Sequence, residues 1–259
     1  RRVRWIVKRL GRLQPIRARR GRAAAAAVRA ADVRELLSVA AATNRGQQDS
    51  NRANTLALIN ELEREATQGT PPASQSLADS LNGEWVLLYA SVELFRASAF
   101  FWSFQRAFGE QLSSPIFAFT AALPIAGTSG PFGRVKQTLS FPPGSTTGEL
   151  VSEVEMELFG GLGGARGVVT SAATVETLEE GRLSSTATTT RVCGSALPLG
   201  AGAALENVVA PVGDVFGAIA GGDSSATAVV AQTTFVSDDV RVLRTGDNLD
   251  QVFVFARAS

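Results

Sequence analysis

Leu150-Val151-Ser152-Glu153-Val154-Glu155-Met156-Glu157-Leu158 alternates from end to end. Successive side chains of a strand point to opposite faces, so Leu150, Ser152, Val154, Met156 and Leu158 share a mostly dry face. Val151, Glu153, Glu155 and Glu157 share a wet one. This is the pattern of a half-buried antiparallel strand. Its outward glutamates read as a solvated exterior rather than a cation site, because no second acidic strand stands ready to share a metal.

Outward from that strand, further candidates are Trp85–Tyr89, Arg134–Phe141, Gly167–Leu178, Arg182–Cys193, Ala228–Phe235, Asp239–Leu243 and Gln251–Ala256, separated by Gly, Asp or Ser turns. Seven or more strands with helices confined largely to the front predict a mainly β chain with N-terminal helices (α+β), its antiparallel sheet closed into a barrel. An open sandwich is the competing architecture. The small side chains of Ser184–Thr190 suit a barrel that encloses a cavity.

Two helices precede the sheet. Asp32 can cap a helix over Asp32–Ala42, whose Val33, Leu36, Leu37 and Ala40 recur at helical spacing before Asn44-Arg45-Gly46 ends it. A second carries Leu56, Ile59 and Leu62 as its stripe and stops at Gly69-Thr70-Pro71-Pro72, after which residues 68–80 read as a polar connection. The expected organisation is therefore a basic arm or transit-peptide remnant over 1–31, a helical pair and linker over 32–80, and a barrel over 81–259 with a Gly/Ala-rich insertion at 194–222.

The net charge of +1 conceals two opposed parts. Residues 1–31 hold Lys8 and ten arginines with no acid, a net +11, whereas the remainder carries 14 basic and 24 acidic side chains, a net −10. Val3, Ile6, Val7, Leu10 and Leu13 are spaced by three and four with Arg2, Arg4, Arg9 and Arg12 between them, a basic amphipathic pattern. It suits an organelle-targeting segment, an anionic membrane surface or an acidic protein face. The acidic body would repel a phosphate backbone, which argues against nucleic acid.

The 259 residues contain no histidine and one cysteine, Cys193. That excludes Ser-His-Asp and Cys-His catalysis, His-ligated metals and any internal disulfide. Cys193 reads as a small core residue. The glycine-rich run Gly160–Gly167 meets neither the dinucleotide nor the Walker spacing and reads as a hairpin connection. Asp238-Asp239 reads as a turn. No nucleophile–base pair is visible, so the expectation is a protein that is not an enzyme. Glu93–Glu110 is dense in aromatics, with Phe100, Phe101, Trp102 and Phe104 at its centre. It reads either as a helix packed over one end of the barrel or as a hydrophobic gate or membrane-facing surface, where these four residues join Arg2, Arg4, Arg9 and Arg12 as candidate membrane or partner contacts.

Several stretches together resemble the plastid lipid-associated protein family, also called plastoglobulin or fibrillin. They are Leu36-Leu37 with Thr43-Asn44-Arg45-Gly46, then Leu81-Asn82-Gly83-Glu84-Trp85 with Leu87-Leu88-Tyr89, and Glu93-Leu94-Phe95-Arg96 with Phe100-Phe101. Gly133-Arg134-Val135-Lys136-Gln137-Thr138 follows, and the close is Thr233–Val242 with Val252–Arg257. The resemblance covers roughly residues 33 to 258 and implies a lipocalin-like antiparallel β-barrel in plastids (chloroplasts), peripheral to thylakoids or plastoglobules. It implies binding of lipids, isoprenoid quinones, carotenoids or chlorophyll, with no catalytic residues and no metal. A structural subunit docked on a thylakoid photosystem or light-harvesting complex is the alternative. Gly83-Glu84-Trp85 also looks like the Gly-x-Trp of lipocalin first strands, which implies a structural plug of Gly83 and Trp85 covered by Arg241 through a cation–π contact.

Overall fold

The computed structural model describes residues 32–40, 45–46, 52–67, 74–122, 132–158, 165–193, 209–219 and 228–258. The basic arm, with Arg2, Arg4, Arg9 and Arg12, lies outside the described residues, as do 160–164 and most of the Gly/Ala-rich insertion.

In chain order the described elements are helices α1 (32–40), α2 (Arg52–Thr67) and α3 (Ser74–Leu81), then strand β1 (Gly83–Ala90). A 3-10 turn at Leu94–Ala97 leads into α4 (Ala99–Ala122). Strands β2 (Phe132–Ser140), β3 (Thr147–Leu158), β4 (Ala165–Thr177) and β5 (Arg182–Cys193) follow, then the short β6 (Val209–Ala210) and helix α5 (Val212–Ile219). The chain closes with β7 (Val229–Val236), β8 (Val240–Thr245) and β9 (Gln251–Arg257).

Eight strands form a closed antiparallel barrel, in the order β1-β2-β3-β4-β5-β7-β8-β9, with β9 returning to β1 and β6 a short addition to one edge of β5. The pairing of β4 with β5 through ten registered residue pairs, from Val168 opposite Cys193 to Thr177 opposite Leu183, joins the two halves and excludes the open sandwich. Threonine is the commonest residue of β5, at four of its 12 positions, and side chains branched at Cβ favour the extended backbone such a long strand needs.

The alternation that opened the sequence is visible in burial. Leu150, Ser152 and Val154 are buried, while Val151 and Glu153 are half-exposed and Glu155 is exposed. The two faces of β9 build two separate cores. Phe253 and Phe255 point inward with Trp85, Leu87, Val135, Leu139, Leu150, Val154, Val175 and Leu243. Val252 and Val254 point outward with Val240 and Val242, where they receive Val33, Leu36 and Ala40 of α1 and Ile59 and Leu62 of α2. A register shift in β1 between Leu87 and Tyr89 moves the Tyr89 ring to the outer core and turns Ala90 inward. Glu63 fixes α2 to the wall: it accepts from Arg244 Nε at 2.6 Å, Arg244 Nη2 at 2.7 Å and Thr234 Oγ1 at 2.6 Å.

The sequence reading of 68–80 as a connection needs correction, because Ser74–Leu81 is helical. Leu77, Ala78 and Leu81 are all 1% exposed or less and belong to the inner core, so α3 is part of the barrel rather than a link to it. Apolar residues at spacings of three and four turn one face of this short helix inward, and that burial overrides its polar composition.

Candidate functional site

Trp85, near the start of β1, lies in the inner core of the barrel. Its side chain is fully buried and its indole Nε1 donates to Leu81 O at 2.9 Å, so α3 caps the ring that it also covers. Two arginines flank the indole, with Arg257 Cζ 4.2 Å and Arg241 Cζ 5.3 Å from the ring centroid. The sequence reading named Arg241 alone; Arg257 lies nearer. Gly83 adopts φ +121°, and a Cβ at that position would come within 2.8 Å of Arg257 Nη1. Glycine is required there both by the backbone and by the passing guanidinium.

The two guanidiniums are satisfied differently. Arg257 donates to three carbonyls, Asp238 O at 2.6 Å, Asn82 O at 2.6 Å and Ser80 O at 2.8 Å, tying the β7–β8 turn to α3. Arg241 is completely buried, stacks on Phe255 with Cζ 4.5 Å from that ring, and donates from Nη2 to Gln137 Oε1. No carboxylate pairs with it among the described residues, and its Nε has no hydrogen-bond partner. Burial first, and the positive charge of Arg257 second, push the Arg241 guanidinium down to about 9. It remains cationic at neutral pH, at the cost of sitting in an apolar interior without a counter-charge.

Gln137 continues the polar track. Its Nε2 donates to Ala97 O at 2.6 Å, holding the 3-10 turn inside the barrel, where Leu94, Phe95, Ala97 and Ala99 are buried. Directly opposite Gln137 on β3 is Ser152, opposite Ser152 on β4 is Ser171, and opposite Ser171 on β5 is Thr190. The Oγ atoms of Ser152 and Ser171 and the Oγ1 of Thr190 are buried with no hydrogen-bond partner, as are those of Ser185 and Thr233 on the wall and Ser98 on the inner segment. Buried hydroxyls are ordinarily satisfied, so a concentration of unsatisfied ones inside one barrel calls for an explanation.

The aromatic block runs from inside the barrel to its surface. Trp102 is 5% exposed, packs in the inner core and donates its indole N–H to Arg96 O, so as a membrane or partner contact it requires correction: its ring is interior. Phe100, Phe101 and Phe104 are half-buried. Phe100, Phe104 and Phe108 of α4 cluster with Phe216 of α5, the ring centroids of neighbouring pairs 4.6 to 6.2 Å apart. α4 breaks at Gly109, where φ is 70° and ψ 168°. Beyond this cluster Leu112, Val209, Val215 and Ile219 are exposed.

Glu153 and Glu155 of β3 are engaged singly. Lys136 bridges Glu153 at 2.7 Å and Glu84 at 3.2 Å, and these hydrogen bonds, Glu153 first, hold its ammonium above the ordinary lysine range. Glu155 Oε2 accepts the Arg134 backbone N–H at 2.9 Å. Among the described residues no group of three His, Cys, Asp or Glu side chains could hold a metal, and no helix is long and apolar enough to cross a membrane. Cys193 ends β5 as a half-buried free thiol.

The hydroxyl track escaped the sequence reading although one signal was present. Ser152 falls on the dry face of β3 between Leu150 and Val154, a polar residue where the period demands an apolar one. No family model, no curated protein and no solved structure matches this chain. The fold defines its class: a mainly β chain built on a closed, eight-stranded antiparallel β-barrel with Trp85 buried in its inner core.

Proposed function

We propose that this protein is a non-enzymatic lipid-binding barrel, lipocalin-like in plan and of the plastid lipid-associated (fibrillin) kind, working peripherally at thylakoids or plastoglobules. The observation that carries this reading is the interior wall. One end is shut by Trp85 beneath two arginines, and the inward side chains of β3, β4 and β5 include small ones, Ser152, Ser171, Ala173, Ser185 and Ala187, each at most 2% exposed. Small inward residues on one side of a closed barrel are what a wall needs to receive an apolar molecule. The occupants the reading assigns are apolar lipids, isoprenoid quinones, carotenoids or chlorophyll.

One observation favours a second reading, a scaffold subunit docked on a thylakoid photosystem or light-harvesting complex. The chain sends its own Phe95, Ala97 and Trp102 into the barrel, and exposed Val215 and Ile219 lie on the α5 helix whose Phe216 packs on the aromatic block. Organic extraction of the purified full chain followed by mass spectrometry separates the two. An apolar lipid recovered in about equal molar amount supports the carrier; a lipid-free chain that binds an isolated complex at a fixed ratio supports the scaffold.

A further inference from the structure

The barrel closes between β5 and β7 over a short length. Arg182 stands opposite Gln232 and Ser185 opposite Val229, the residue at which β7 begins. β5 continues to Cys193, so from Thr186 onward it has no β7 partner among the described residues, and β6 pairs only with Thr190 and Arg191. A strand edge in such a position has N–H and C=O groups that must be met by something else. Helices meet it here. Ala187 N donates to Ser103 Oγ of α4 at 3.4 Å, and Gly213 of α5 lies so close that a Cβ on it would stand 2.7 Å from Ala187 O and 3.3 Å from Thr188 O. Thr188 is the extra residue of a bulge against β4, which bends the strand at this point. α4 packs against both β5 and β7 and so spans the seam.

An aromatic path leads from the seam to the inner core. Ring centroid to ring centroid, Phe216 of α5 is 5.6 Å from Phe100, Phe100 is 5.0 Å from Phe101, and Phe101 is 4.6 Å from the fully buried Phe95. Val212 and Phe216 form the buried side of α5, while Val215 and Ile219, one turn apart on its other side, are exposed. An apolar molecule arriving here meets apolar side chains from the surface to the core. α5 is held on the wall by packing of Val212 and Phe216 against Ala187 and the rings of α4. Such contacts part without stranding polar groups, whereas separating two paired strands breaks a ladder of hydrogen bonds. The seam is the part of the wall that opens at least cost.

We propose that the seam between β5 and β7 is the lateral entry to the barrel and that α5 is its door, an apolar chain passing between Phe216 and Phe100 when α5 lifts from Ala187. The proposal rests on the reading of the barrel as a lipid-binding protein and adds the route by which the ligand arrives. Gly213 fits the door to its frame: glycine weakens a helix interior, but any side chain there would collide with the β5 backbone.

The test is stopped-flow uptake of cis-parinaric acid, a fluorescent conjugated polyene, by the full chain. Gly213→Ala pushes α5 off Ala187 O while favouring the helix itself, and Phe216→Ala removes the ring that shuts the path. Each is expected to raise both the association and the dissociation rate by about fivefold or more, with a smaller change in their ratio, because a gate sets rates rather than affinity. Loss of a mere ligand contact would speed release alone, and that result overturns the door. Unchanged rates in Gly213→Ala overturn it as well, and both results leave the lipid-binding barrel standing. Should neither variant fold, amide exchange of the unaltered chain decides: Val212–Ile219 should exchange at least about tenfold faster than β3 and β4, as a locally opening unit does, and exchange as slow as in those strands overturns the door. A parent chain that takes up no polyene removes the lipid-binding reading, and the entry falls with it.

Discussion

Arg257 lies over the face of Trp85 at 4.2 Å, nearer than Arg241 at 5.3 Å, and it also bonds the carbonyls of α3 and of the β7–β8 turn. One side chain thus covers the plug, closes the end of the barrel and joins the last strand to the helix before the first. Arg257→Ala is expected to destabilise the fold by about 2 to 4 kcal/mol, from three charge-assisted hydrogen bonds and one cation–π contact. Arg257→Lys should recover less than half of that loss, since an ammonium cannot present the planar fork that reaches three carbonyls. Denaturant melts of both variants check this.

Trp85→Ala removes the largest buried side chain of the closed end together with its hydrogen bond to Leu81 O. A loss of about 3 to 5 kcal/mol is expected, with binding failing through folding. Stability unchanged from the parent in a denaturant melt would contradict the plug.

The barrel was legible because its signal is local. Each of the eight barrel strands announces itself by period two and by its turns, and the boundaries read from the sequence fall within three residues of those observed, the widest gap being at the start of β3, Leu150 against Thr147; the short β6 is not marked in this way. Closure was an inference from strand number, since the contact of β4 with β5 that makes the sheet continuous is a matter of pairing. What escaped had its cause in tertiary packing. α3 has a composition typical of loops and becomes a helix by burying Leu77, Ala78 and Leu81. Trp102 sits in a stretch that reads equally well as surface or interior, and only the path of the chain into the barrel decides it. Arg257 belongs to a C-terminal stretch that the sequence marks only as a strand, and which of the two late arginines lies nearer to Trp85 depends on the register of β9 against β1, where Arg257 is paired with Trp85.

Glu63 holds α2 on the barrel through Arg244 and Thr234. Glu63→Ala leaves the partly buried Arg244 guanidinium without its carboxylate, with only Leu249 O and Asn60 Oδ1 still accepting from it, and should cost about 2 kcal/mol. The loss should concentrate in α2: amide exchange over Arg52–Thr67 should accelerate more than exchange in β8 and β9. Uniform acceleration across the barrel would show that the helix and the barrel unfold as one unit.

Deleting Arg1–Arg22 removes ten of the positive charges of the 1–31 segment and no described core residue. The melting temperature should stay within about a degree of the parent, as for a change outside the core. Flotation with anionic vesicles should fall sharply at low salt and converge with the parent at high salt, because exposed charges are screened over about 8 Å at physiological ionic strength. Attachment unaffected by the deletion would assign membrane contact to the aromatic surface around Phe100 and Phe104.

The central claim is that the barrel interior binds an apolar lipid, and two buried tryptophans, Trp85 and Trp102, stand there as reporters. The decisive measurement is energy transfer from these indoles to a conjugated polyene lipid titrated into the full chain with Trp5→Phe, which removes the third tryptophan from the signal. The account predicts quenching that saturates at one polyene per chain and is reversed by excess palmitic acid. Quenching that rises in proportion to added lipid without saturation, or none at all, would contradict it.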